Sequence, residues 1–268
     1  MSAAPAARPL VIGHRGSSAV APENTIAAFV RAISDGADGF EFDVRLALDN
    51  EPVVIHDSSL QRTARIPGVV AQLTSKELQK IDVGSWFNHQ RPDDAKKEYE
   101  TETVPTLDRV FDLVKDTTQI LYLEMKSENN QVVQLAASVV KSIEEHRLTD
   151  RVIVESFNLA AIAEVKRLNA GVRTAGLFEP RIKRPASLLR KMKTVDLALA
   201  AGANELALHH TLAARRVVLK AGQCGLPVVV WTVDNPTWMK RALSIGISAL
   251  ITNDPATLLL ERSRLLAV

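Results

Sequence analysis

The stretch PLVIGHRGSSAVAPENTIAAFVRAISDGADGFEFDVRL, residues 9 to 46, holds a strand, a helix and a second strand, and its reading decides the architecture. Val11 and Ile12 make a short apolar run that stops at His14 and Arg15 before a loop bearing glycine and serine. Ile26, Phe29, Val30 and Ile33 then recur at helical spacing, and Gly36 supplies the stop. In the following GFEFDVRL, Phe40, Phe42 and Val44 alternate with Glu41 and Asp43. A strand with period two sends the phenylalanines to one face and both carboxylates to the other.

The same alternation of elements continues outward from this unit. Strand-like runs at 119–125, 151–157, 172–178, 205–209, 227–231 and 248–252 are each followed by a helical pattern, at 130–147, 158–169, 185–201, 211–222, 236–244 and 254–266. A further helix, 106–116, belongs to the second strand. Eight strand–helix units require a parallel sheet, and at this length the closed (β/α)8 TIM barrel leads, with a doubly wound open sheet as the alternative. The polar, turn-rich segment of about 58–105 breaks the rhythm between strand 2 and helix 2. It reads as a small inserted subdomain within one domain spanning 1–268, placed to shape substrate entry.

Bulk composition excludes several classes. A net charge of +2 with 24% charged residues gives no polybasic field for nucleic acid. The single Cys224 excludes an intrachain disulfide framework and a four-cysteine zinc site, which suits a reducing compartment. The start, MSAAPAARPL, reads as a disordered lead without a signal-peptide core, and no apolar run of about 18 residues offers membrane insertion. The expectation is a soluble cytoplasmic protein whose oligomeric state is open.

In such a barrel the C-terminal ends of the strands build the active face. His14, Arg15, Glu41, Asp43, Glu124, Lys126, Ser156, Glu179, His209, His210 and Trp231 all fall there. Glu41 and Asp43, aimed into one space, must share a proton, pair with bases or hold a cation, and carboxylate oxygens suit Mg²⁺ or Ca²⁺. Glu124 from the neighbouring strand would make a third ligand. The turn at Asp49 and Asn50 folds VVIHD back so that His56 comes roughly opposite Asp43, as a proton-transfer group. Arg15 can grip an anionic oxygen, and a cation, a guanidinium, the Lys126 ammonium and two imidazoles around one cavity suit phosphoryl transfer. Glu23 and Asn24 read as helix-start residues, His209 and His210 as solvated, and Phe157 as either pocket or core. Arg181, Lys183, Arg184, Arg190, Lys191 and Lys193 read as a solvated basic face.

GHRGSSAVAPENT, EFDVRLALDNEPVVIHDSSLQRT, LEMK, ESFN and VVVWTVDN, in that order, closely resemble the glycerophosphodiester phosphodiesterase family of the soluble bacterial cytoplasmic type. The resemblance implies a TIM barrel with an inserted subdomain, one divalent cation, and hydrolysis of glycerophosphodiesters to sn-glycerol 3-phosphate and an alcohol such as choline or ethanolamine. It implies Glu41, Asp43 and Glu124 as metal ligands and His14 and His56 as the acid/base pair. Arg15 and Lys126 match phosphate-contacting residues, and Trp231 an aromatic near the glycerol end. The alternatives are a lipid phosphodiesterase of the lysophospholipase D or sphingomyelinase D kind, and a non-catalytic barrel used as a binding module. Only Trp86, Phe87 and Tyr99 supply aromatics in the insertion, which is little for docking an acyl chain.

Overall fold

The computed structural model describes residues 8–126, 131–180 and 188–267. Arg181, Lys183 and Arg184 of the basic cluster, and the first seven residues, lie outside them. Its strands are β1 (Leu10–His14), β2 (Gly39–Leu46), β3 (Pro52–Val54), β4 (Ile120–Met125), β5 (Val152–Ser156), β6 (Arg173–Phe178), β7 (Glu205–His209), β8 (Val228–Trp231) and β9 (Ala249–Thr252). They run in the order β1-β9-β8-β7-β6-β5-β4-β2-β3, and β1 also pairs with β2, which closes the sheet. Every pairing is parallel except β2 with β3, so eight strands form the closed parallel barrel and β3 is a hairpin arm added to its second stave. Asn50 makes that hairpin turn with φ of 61°, a left-handed position that asparagine tolerates.

Helices α1 (Ile26–Ser34), α2 (Ser75–Leu78), α3 (Ser85–Gln90), α4 (Leu107–Val114), α5 (Val132–Glu145), α6 (Leu159–Leu168), α7 (Leu188–Ala200), α8 (Arg215–Gln223), α9 (Thr237–Ile245) and α10 (Pro255–Leu266) complete the list. None of the described helices is long and apolar enough to cross a membrane.

The strands bury both faces, each against a different core. Outward-facing Phe40 and Phe42 pack on Phe29 of α1, stacked at 4.5 Å and edge-on at 5.8 Å between ring centroids. Each such ring contributes about 1.5–3 kcal/mol by leaving water. Inside the barrel, Ile12, Tyr122, Ile153, Ala175, Ala207, Val229 and Ala249 form a separate apolar plug. The buried charged side chains of these strands are Glu41 and Asp43 of β2, Glu124 of β4, Glu155 of β5 and Glu205 of β7.

Residues 58–105 hold α2, α3 and several turns. Leu60, Val70, Leu78, Val83 and Val104 pack on Ala47, Val53 and Ile55 of the hairpin. Phe87 and Tyr99 are buried against Ala21 and Ala28, and the Tyr99 hydroxyl donates to the Val20 carbonyl at 3.1 Å. These aromatics therefore brace the loop after β1.

That loop is tight. Gly16 has φ of +83°, and a Cβ there would lie 2.5 Å from the Ala28 carbonyl carbon. Gly16→Ala must strain the backbone and push the loop off α1. We expect a loss of about 3 kcal/mol, seen as a Tm lower by roughly 6–12 °C in a thermal melt.

Candidate active site

His14, Arg15, Glu41, His56, Glu124, Lys126 and Trp231 line one cavity of about 160 Å³ at the C-terminal end of the barrel. Asp43 does not line it but lies directly behind, 1% exposed. The site residues expected from sequence are thus brought together. Strand register explains it: His14 pairs with Glu41 across β1 and β2, and Asp43 pairs with Glu124 across β2 and β4.

Glu41, Asp43 and Glu124 are all buried, and one ligand oxygen of each lies within 4.8 Å of the others. Lys126 Nζ is 2.7 Å from Glu124 Oε1 and 3.1 Å from Asp43 Oδ1, and Arg15 Nε is 3.1 Å from Asp43 Oδ2. The two contacts on Asp43 are ion pairs without hydrogen-bond alignment, so Arg15 Nε and Asp43 Oδ1 remain buried without hydrogen-bond partners among the described residues. Burial, and then the neighbouring Asp43 and Glu124 charges, push the Glu41 carboxyl well above its ordinary range. Burial and Asp43 raise Glu124 to about 7. Burial also works against the Asp43 anion, but Arg15, Lys126 and His56 outweigh it and hold its carboxyl far below the usual value.

Three crowded carboxylates, two of them reluctant to ionise and one with an oxygen that accepts no hydrogen bond among the described residues, form an all-oxygen donor set that can hold a hard divalent cation.

The imidazoles are oriented by different partners. His14 Nδ1 is 2.7 Å from Asn253 Oδ1, whose own amide nitrogen donates to Asp234 Oδ2 at 2.8 Å. An amide oxygen only accepts, so the His14 proton sits on Nδ1 and Nε2 carries the lone pair, 3.8 Å from Glu41 Oε2. Burial, helped by Arg15, lowers the His14 pKa to about 4. His56 follows Ile55, whose amide donates to the Asp43 carbonyl at 2.9 Å, and its Nδ1 lies 2.6 Å from Asp57 Oδ1. Burial depresses its pKa too, opposed by Asp43.

Phe157, 41% exposed, and Trp231 meet edge-on at 5.5 Å and form the aromatic rim with Glu179 nearby. The Trp231 indole nitrogen is buried without a hydrogen-bond partner among the described residues. His209 and His210, expected to be solvated, are each partly exposed, their rings 4.1 Å apart, with His209 packed edge-on against Trp231. Ser156 is turned away, donating to the Met125 carbonyl.

Sequence reasoning passed over several residues. Asn24 is not the helix cap; Thr25 is, and Asn24 at φ +58° donates Nδ2 to Asp43 Oδ2 at 2.8 Å while its Oδ1 accepts the Asp43 amide. Glu23 grips Arg15 Nη1 at 2.7 Å. Glu155, 1% exposed, lines the cavity with Oε2 lacking a hydrogen-bond partner among the described residues, and burial plus the Glu41 and Glu124 charges raise its pKa. A lone carboxylate inside the apolar run RVIVESF was the available signal for it.

Residues 14–257 match the Glycerophosphoryl diester phosphodiesterase family. The chain belongs to that family.

Among relatives, a glycerophosphodiester phosphodiesterase of Caldanaerobacter subterraneus subsp. tengcongensis is 33% identical over 253 residues, 93% of this chain and 96% of its own. One from Bacillus subtilis is 32% identical over 258 residues, 92% and 84%. A solved Oleispira antarctica phosphodiesterase, in complex with the product sn-glycerol-3-phosphate, superposes with a TM-score of 0.82 at 26% identity, covering 95% of this chain and 97% of that one. As a glycerophosphoryl diester phosphodiesterase family member, the chain is an enzyme, a phosphoric diester hydrolase.

Proposed function

We propose that the chain hydrolyses glycerophosphodiesters to sn-glycerol 3-phosphate and a small alcohol such as choline or ethanolamine, using one divalent cation, Mg²⁺ or Ca²⁺, and two histidines. The reading is supported by the Oleispira antarctica product complex. The observation that carries it is the pairing of a tight carboxylate triad with two imidazoles, each anchored through Nδ1.

Glu41, Asp43 and Glu124 would hold the cation. Bound there, it supplies positive charge against the negative charge that develops on the phosphoryl oxygens. Arg15 and Lys126, balanced against Asp43, share that task and orient the phosphate. His14, kept neutral by burial, takes the proton of the nucleophile, water or the adjacent glycerol hydroxyl, as its oxygen bonds to phosphorus; in the latter case the product is a cyclic phosphate that water then hydrolyses to glycerol 3-phosphate. The phosphorus–alkoxide bond breaks, and His56 gives its Nε2 proton to the departing oxygen. The Asp57 carboxylate suits His56 to this part, because it stabilises the imidazolium, whereas His14 Nδ1 meets an amide oxygen, its Nε2 is 3.8 Å from a Glu41 carboxyl that burial makes reluctant to ionise, and Arg15 opposes its charge.

Trp231 and Phe157 would border the glycerol end. In the same reading residues 1–268 form one barrel domain, 58–105 an inserted subdomain beside the His56 side, and the enzyme acts in the cytoplasm on a small molecule rather than on nucleic acid.

The test is release of glycerol 3-phosphate from glycerophosphocholine and glycerophosphoethanolamine, beside a lysolipid, with and without EDTA. We expect turnover of the first two, its loss in EDTA and its return with Mg²⁺ or Ca²⁺. Release from the lysolipid alone, or turnover indifferent to EDTA, would reject the proposal.

A further inference from the structure

Arg62 has no part in the chemistry above, yet it makes three charge-assisted hydrogen bonds to carboxylates that hold the cavity-lining Arg15 and His56. Nη1 and Nη2 donate to Glu23 Oε2 and Oε1 at 2.7 and 2.8 Å, and Nε donates to Asp57 Oδ2 at 2.6 Å. The other Asp57 oxygen faces His56 Nδ1 at 2.6 Å. One end of the guanidinium is therefore forked onto Glu23, whose side chain is only 12% exposed, while the remaining N–H is aimed at the carboxylate that holds the imidazole.

An isolated surface ion pair would carry little meaning, about 0–1 kcal/mol. This one differs in geometry. A planar fork fixed by two parallel bonds leaves no freedom for the third donor, so Asp57 is held at both oxygens and cannot rotate away from His56. Glu23 is itself pinned by Arg15 Nη1.

We infer that Arg62 is a positioning residue of the reaction: through Asp57 it fixes the orientation in which the His56 imidazolium protonates the departing alcohol. The inference rests on the assignment of His56 as the acid. Carboxylate partners that orient an imidazole are worth roughly 10–100-fold when disturbed, which sets the size of the effect.

The test compares two esters of glycerol phosphate, the choline ester and the p-nitrophenyl ester, whose leaving group departs without a proton. Arg62→Ala should lower kcat for the choline ester by roughly 10–100-fold, leave KM nearly unchanged, and cost the p-nitrophenyl ester several-fold less. Added guanidinium should restore part of the loss. Arg62→Lys should not restore it, since one ammonium cannot span Glu23 and Asp57 in a fixed plane. In a His56→Ala background, Arg62→Ala should add little further loss. Should Arg62→Ala fail to fold, Asp57→Asn gives the same comparison with an isosteric side chain. Equal losses on both esters, or an undiminished loss in the His56→Ala background, overturn the inference. If His56→Ala itself shows no leaving-group dependence, the acid assignment falls, and the inference with it.

Discussion

Asp43→Asn should abolish measurable turnover of glycerophosphocholine while leaving the fold intact. Asparagine keeps the shape of the side chain, so Asn24 can still bond it, but the charge that Arg15 and Lys126 face is gone. Charge stabilisation by a bound cation is worth several kcal/mol, and a loss of about 5 kcal/mol slows turnover by three to four orders of magnitude. Steady-state assays at saturating Mg²⁺ or Ca²⁺ check it; a variant within about tenfold of the parent rate would remove Asp43 from the proposed metal site.

The same triad makes a paired stability statement in EDTA. The folded-state carboxyl of Asp43 sits below its unfolded value, so its charge stabilises the protein above the unfolded pKa, and that gain is lost as pH falls through the folded one. Glu124 is the reverse: its folded pKa of about 7 lies above the unfolded value, so it is harmless below the unfolded pKa and costs stability as pH rises through 7. At neutral pH and without cation, Asp43→Asn should therefore lower Tm and Glu124→Gln should raise it, although both variants lose activity. Thermal melts of the two across pH 5 to 8 decide; shifts of the same sign would contradict the charge arrangement described for the site.

The barrel was legible in the sequence because parallel strands bury both faces, giving short apolar runs, and because their helices carry one apolar stripe each. Boundaries blurred where local geometry intervened. The helix expected from 211 begins at Arg215, since His210–Leu212 forms a 3-10 turn first. Within the site, Glu41, Asp43 and Glu124 declared themselves by strand alternation, which is local. Asn24, Asn253 and Arg62 did not, because what defines each is a partner far along the chain. Asn24 after Pro22-Glu23 has the composition of a helix cap, and only contact with Asp43, nineteen positions on, gives it another use. Asn253 meets His14 across 239 residues, a pairing that exists only once β9 lies beside β1.

The partners of the two imidazoles, one distant and one adjacent in the chain, also underlie the proposed division of labour between the histidines, and so lead to the second large effect. His56→Ala and His14→Ala should each lower kcat for glycerophosphocholine by about 10²–10⁴-fold, the usual worth of a positioned acid or base. Their behaviour should part when the leaving group changes. An alkoxide leaves poorly without a proton, so His56→Ala should be crippled on the choline ester and nearly normal on the p-nitrophenyl ester of glycerol phosphate. His14→Ala should be equally slow on both, because activation of the nucleophile does not depend on what departs. The partners give the reason: Asp57 offers His56 a negative charge that favours the imidazolium, while Asn253 offers His14 only a dipole and Arg15 repels a proton on it. Reversed leaving-group dependence would exchange the two roles and leave the triad untouched; wild-type rates in both variants would take the histidines out of the chemistry altogether.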